Sequence, residues 1–196
     1  LASIRMENSL ETMNYLLSAV ILNRSSTLNI SSSPQITLTR QNMLNLAKES
    51  IIKLNNANEA LLKGNTIVGP CFGFDDELDM INTHLACKAV NNQTELHDSY
   101  RCSSASQGVD IFISLIESII DDIETTGGNF DNEKIVHSLH LLNRHLLERL
   151  EQAVDRIHDV NTITCKSLEK KLMATFICGI ILTFITFIVS LIFFAK

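Results

Sequence analysis

The histidines are the first residues whose type and spacing could do chemistry. His137, His140 and His145 lie close together, and His137 and His140, three apart, share a face on a helix. Imidazole nitrogens suit zinc-type ions, but a metal site needs a further ligand from another helix and side chains that turn inward. The sequence shows neither, so these read as solvated or rim histidines and no metal ligand is assigned. Asp75, Asp76, Glu77 and Asp79 look like a cation loop but lack the alternating spacing and central glycine of a calcium loop. They read as the capped and solvated start of a helix. Asp121, Asp122 and Glu124, then Glu148, Glu151, Asp155 and Asp159, read as water-facing stripes that Arg144, Arg149 and Arg156 pair with weakly. No nucleophile–base pairing, phosphate loop or zinc motif occurs. The chain therefore reads as non-enzymatic, with no catalytic residue and no cofactor.

Five cysteines remain. Cys71, Cys87 and Cys102 cluster in the one long stretch without helical periodicity, where a long loop needs a staple or a function. A disulfide is such a staple outside the cytosol. Three thiols cannot all pair among themselves, so Cys165 partners the third or one thiol stays free. Cys178 lies in an apolar run and reads as unpaired. In a reducing compartment all five would be small apolar side chains. Asn23-Arg-Ser25, Asn29-Ile-Ser31 and Asn92-Gln-Thr94 make Asn23, Asn29 and Asn92 glycosylation candidates, a pattern that a chain rich in Asn, Ser and Thr also yields by chance.

The elements that must position these residues are helical. Met6, Leu10, Met13, Leu17 and Val20 predict a helix over 1–24, and Ser25 to Pro34 is a polar break. A second helix is predicted from Thr39 to Lys63, with Leu44, Ala47, Ile51, Leu54 and Leu61 inward and Gly64 closing it in a left-handed turn. These two should pack antiparallel. Residues 65–107 form an irregular insert, with a turn at Gly69-Pro-Cys71 and a short helix over 75–89 that turns Leu78, Ile81 and Leu85 inward. A third helix runs over 109–125 on Phe112, Ile116, Ile120 and Ile123, and Gly127-Gly128 ends it.

Asp131 is the expected cap of the fourth helix. From Asn132 the period is kept by Ile135, Leu139, Leu142, Leu146, Leu150, Ala153, Ile157 and Val160, and Leu168 and Leu172 carry it onward. Leu172 to Ala195 carries no charge over 24 residues, where roughly 20 are needed to cross a hydrocarbon core. Lys166, Lys170, Lys171 and Lys196 flank it at headgroup level. A continuous helix over 132–195 would be roughly 95 Å long at about 1.5 Å per residue, with Thr162-Ile-Thr164 its weakest point. The same stripe could serve a vesicle-fusion coiled coil, but no isolated polar layer stands amid sustained heptads.

Two prolines and no tryptophan suit an all-α chain. A net charge of −6 argues against nucleic acid, because nothing here would neutralise a phosphate backbone. The chain starts at Leu1, in what reads as a helix in mid-course, which suggests a piece of a longer protein.

Ala60-Leu-Leu-Lys-Gly64, then Gly69-Pro-Cys71, Cys87 and His97-Asp-Ser-Tyr-Arg-Cys102, resembles the extracellular segment of large protist multi-pass membrane proteins: the tiny macrocysts-like proteins and related membrane-bound cyclases. The resemblance implies disulfide-bonded cysteines, a membrane span before Leu1 and cytosolic signalling domains after Lys196. The lysines before the span depart from it, since the positive-inside tendency places the preceding domain in the cytosol.

The expected architecture is an all-α, four-helix up-down bundle over 1–171. A disulfide-stapled insert separates helices two and three, and the last helix continues into a transmembrane helix over 172–195. The expected role is a non-enzymatic, membrane-tethered ectodomain, extracellular or lumenal, that senses or transmits signal through its last helix. Its partners would be the lipid bilayer and copies of itself or other membrane proteins. The alternatives are a structural or adhesive membrane-surface assembly and a tail-anchored cytosolic adaptor or fusion protein.

Overall fold

A computed structural model of the chain describes residues 1–27, 39–67, 69–88, 91–126 and 130–194, leaving aside the side chains of 23–27 and 193. The described residues are all-helical, with no strand. The elements are α1 (Ala2–Thr27), α2 (Arg40–Lys63), α3 (Asp76–Thr83), α4 (Leu96–Tyr100), α5 (Ala105–Thr126) and α6 (Glu133–Leu141). A π-helical turn (Leu142–Leu146) then leads into α7 (Leu147–Phe194). The expected fourth helix is thus α6, the π turn and α7 in succession. The chain divides into two compact units, Leu1–Asp155 and Arg156–Lys196.

Local chemistry sets the helix ends. The Thr39 hydroxyl accepts from the Asn42 amide, and Gly64, at φ 76°, closes α2 with its N–H donating to the Ala60 carbonyl at 3.0 Å. Asp75 caps α3 by accepting from the Leu78 amide at 2.9 Å, as the acidic cluster suggests. Asn132, rather than the expected Asp131, caps α6 by accepting from Lys134.

In the first unit, α1 and α2 run antiparallel: Arg5 bonds Asn58 near the end of α2, and Asn8 meets Ser50 further back. α2 and α5 are antiparallel by the same logic, from Asn58–Ser106 at one end to Lys48–Glu124 at the other. Their shared core includes Leu16, Leu44, Leu54, Phe112, Ile116 and Ile123, all fully buried, each worth about 1.5–3 kcal/mol relative to exposure.

The inward face of α1 is wider than its apolar residues suggest: Met13 and Val20 are buried and Met6 and Leu17 pack against the core as expected. Leu10 is 40% exposed, while Arg5, Ser9 and Thr12 are fully buried. Ser9 and Thr12 satisfy themselves by donating to the carbonyls of Arg5 and Asn8, so small polar residues cost little on a face that must approach α2 closely. The insert also differs from expectation. Its first helix stops at Thr83, leaving Leu85 exposed, and a second short helix, α4, follows. α5 begins at Ala105, inside the stretch expected to be irregular.

The second unit is the remainder of α7, the one helix among the described residues long and apolar enough to cross a membrane. The four hydroxyls within Leu172 to Ala195 each donate to the helix's own backbone: Thr175 to Lys171, Thr183 to Gly179, Thr186 to Thr183 and Ser190 to Thr186. Thr162-Ile-Thr164 lies within α7, and the Thr164 hydroxyl donates to Val160.

Candidate functional site: a histidine–tyrosine cluster

Four imidazoles and one phenol converge inside the first unit. His97 and Tyr100, three apart on α4, present one face; His137 and His140 do the same on α6, and His145 sits on the π turn. The fully buried Tyr100 is the hub, with its hydroxyl 2.9 Å from His137 Nδ1 and 3.2 Å from His140 Nδ1. The ring of His97 lies 5.1 Å from that of His140 and 5.7 Å from that of His145, and the His140 and His145 rings are 5.3 Å apart, centre to centre. Ligand nitrogens of His97, His140 and His145 all fall within 4.8 Å of one another. His145 Nε2 is buried without a hydrogen-bond partner.

The π turn explains how His145 joins. On a regular α-helix, residues five apart point about 140° away from each other at 3.6 residues per turn. A π turn bonds each residue to the fifth after it, which stacks residues at that spacing. The Leu147 amide donates to the Leu142 carbonyl, and both Leu141 and Leu142 are buried. His140 and His145 are thereby neighbours.

Electrostatics favour the neutral ring at His140 and His145. Desolvation, with His97, Arg144 and His137 nearby, lowers the His140 pKa. His145 is lowered by desolvation and by His140, His97 and Arg101, against an opposing pull from Glu148. Burial pushes the Tyr100 hydroxyl up, so it stays protonated. His137 Nε2 lies 3.4 Å from Glu133 Oε1, one helical turn back.

The disulfide positions α4. Cys87 and Cys102 are bonded, closing the loop that carries α4, and the Ala86 amide donates to the Cys102 carbonyl beside it. The other disulfide candidates, Cys71 and Cys165, are free thiols, as is Cys178. Cys71 is held instead through its backbone, its amide donating to the Leu61 carbonyl at 2.9 Å. Asn92 is exposed; Asn23 falls in α1 with its side chain undescribed, and Asn29 lies outside the described residues.

A second polar cluster surrounds Arg5. Nη1 donates to Asn58 Oδ1 at 3.0 Å and Nη2 to Asn82 Oδ1 at 2.9 Å. Asn58 in turn donates to Ser106 Oγ and Asp110 Oδ1, and Asn82 donates to the Leu78 carbonyl. Burial lowers the guanidinium to about 10, so it stays charged at neutral pH. Desolvation pushes the Asp110 carboxyl up, with the Asn58 hydrogen bond opposing it.

Of the other acidic groups, Asp122 accepts from Lys134 and Asn132, and Glu124 accepts from Lys48. Arg149 bonds Gln152 rather than a carboxylate. The sequence pairs His137 with His140 but places neither His97 nor Tyr100 beside them. The signal was the three-residue spacing within His97-Asp-Ser-Tyr100, hidden in a segment that reads as irregular.

Set against known protein families, characterised proteins and solved structures, the chain matches none. The likeness to protist multi-pass proteins therefore rests on its motifs alone.

Proposed function

We propose that the chain is a membrane-anchored helical domain, extracellular or lumenal and non-enzymatic, that senses or transmits through its last helix. The observation that carries this reading is α7 itself. Leu150 and Ala153, near its start, are fully buried, while the segment from Leu172 is charge-free and returns every hydroxyl to its own backbone. Satisfying polar groups internally is what a hydrocarbon surround demands. On this reading α1, α2, α5 and the α6–α7 run make up the four-helix up-down bundle, and a change in packing where α6 meets α7 is passed along α7. The Cys87–Cys102 disulfide supports an oxidising compartment.

Lys166, Lys170 and Lys171 support a second reading, a cytosolic domain on a tail anchor. Expression in cells separates the two. The extracellular reading expects a thiol-sensitive shift in gel mobility and, where Asn92 is used, a glycosidase-sensitive one. A protein that pellets with membranes yet shows neither shift favours the tail anchor, and one that does not pellet with membranes sinks both.

A further inference from the structure

We propose that His97, His140 and His145 form a binding site for a zinc(II) ion, with Tyr100 and His137 as its supporting shell. Three imidazoles with one open position are a donor set that zinc takes in tetrahedral geometry. The hydrogen bonds already place the lone pairs. Tyr100 has one hydroxyl proton and faces two Nδ1 atoms, so it donates to one and accepts from the other. The shorter contact makes His137 Nδ1 the acceptor, which leaves His137 Nε2–H directed to Glu133. His140 then carries its proton on Nδ1, donates to the Tyr100 oxygen and presents a bare Nε2. This carboxylate–imidazole–phenol–imidazole chain is the kind of outer support that fixes the tautomer of a metal-bound histidine.

His145 supplies the second lone pair. Its Nε2 is buried and unpartnered, a state that costs free energy unless something outside the chain binds there. His97, from α4, supplies the ligand from a different element that a metal site requires. Tetrahedral zinc at about 2.0–2.1 Å sets nitrogens about 3.3 Å apart. From a spread of at most 4.8 Å the rings would close by side-chain rotation. All three ligands lie within Leu1–Asp155, so zinc binding stands whichever side of a bilayer that unit faces and whether or not α7 is inserted. Bound zinc would tie the disulfide-closed loop to the π turn.

The test uses the full chain in detergent micelles, with Cys71, Cys165 and Cys178 alkylated and metals removed by chelation. Titration with zinc and with cobalt(II) should give one equivalent bound, tetrahedral visible bands for cobalt and a rise in melting temperature. His97→Asn and His145→Asn should each weaken binding by more than about 100-fold. Tyr100→Phe, which keeps the ring, should weaken it about 10- to 100-fold, the range for outer-shell changes. Far-UV circular dichroism reports whether each variant folds. If His145→Asn does not fold, His97→Asn, on a five-residue helix, keeps the experiment decisive. No saturable zinc binding at micromolar concentration, or unchanged affinity in folded His97→Asn, would overturn the proposal.

Discussion

The Arg5 network and the histidine–tyrosine cluster both hold polar groups within the same helical unit, but they leave different things unused. Around Arg5, both terminal nitrogens of the guanidinium find amide oxygens, and those amides donate onward to Ser106, Asp110 and Leu78, so only Nε is left over. Around Tyr100, one hydroxyl meets two rings, and His145 Nε2 is left buried without a partner. Arg5 tolerates full burial with its charge intact; His140 and His145 are pushed towards the neutral form. A closed network specifies how helices pack, whereas an open one keeps donors for a ligand.

The largest expected effect tests the closed side. Arg5→Leu strands the Asn58 and Asn82 oxygens without donors and should cost about 2–4 kcal/mol, read by denaturant melts in micelles. His97→Asn, without metal, should cost under about 0.5 kcal/mol, since no hydrogen bond of the ring is lost. Equal losses would erase the distinction between the two clusters.

Breaking the Cys87–Cys102 bond by Cys87→Ser with Cys102→Ser should cost about 2–3 kcal/mol, given a loop of 15 residues. The loss should be uneven. Amide exchange should quicken over α4 and stay unchanged in α2 near Asn58. Uniform quickening would mean that the disulfide holds the unit as a whole rather than the open cluster.

Acid provides a smaller contrast. The folded-state pKa values of His140 and His145 are lowered from 6.5, so the unfolded chain takes up protons first as pH falls. Their contribution is fully present above pH 6.5, declines from there down to the lowered values and is flat below them. With chelator present, melting temperature should therefore drop as pH falls from 7.5 towards 5.5. A His140→Gln, His145→Gln variant should show a flatter profile. Arg5 stays protonated throughout, so Arg5→Leu should shift the curve without changing its slope. A slope that persists in the double histidine variant would assign the titration elsewhere. The smallest effect is expected at the half-exposed Lys134–Asp122 pair, where Lys134→Met should leave the melting temperature nearly unchanged, even with the Ser118 bond lost as well.

These contrasts show how far the sequence could be read. Apolar spacing located α2 and α5 because their inward faces are made of Leu44, Leu54, Phe112 and Ile116, the residues that periodicity counts. In α1 it found Met13 and Val20 but not the buried Arg5, Ser9 and Thr12 beside them, and it turned Leu10 inward where the structure exposes it. The spacing rule cannot register polar residues that satisfy one another across helices. It also missed α4, since a five-residue helix carries too little period to detect. The cysteine cluster pointed to a staple, but choosing Cys102 as the partner of Cys87 depended on how the insert folds back. The histidines were visible as residues and invisible as a group. Their grouping depends on an element from the insert and on a departure from the α period that no regular template contains.

That departure makes chain length, and not composition alone, part of the site. Deleting Asn143 and letting the helix wind as a plain α-helix would replace the five-residue spacing across the turn by four and leave everything after it close to its present direction. Winding the full-length chain as a plain α-helix would instead turn it by about 100° relative to α6. In that rewound helix His145 and the buried pair Leu146 and Leu150 would turn away together. Loss of the π turn at the present length would thus disturb the core and the histidines together, whereas a one-codon deletion at the exposed Asn143 would keep both in place.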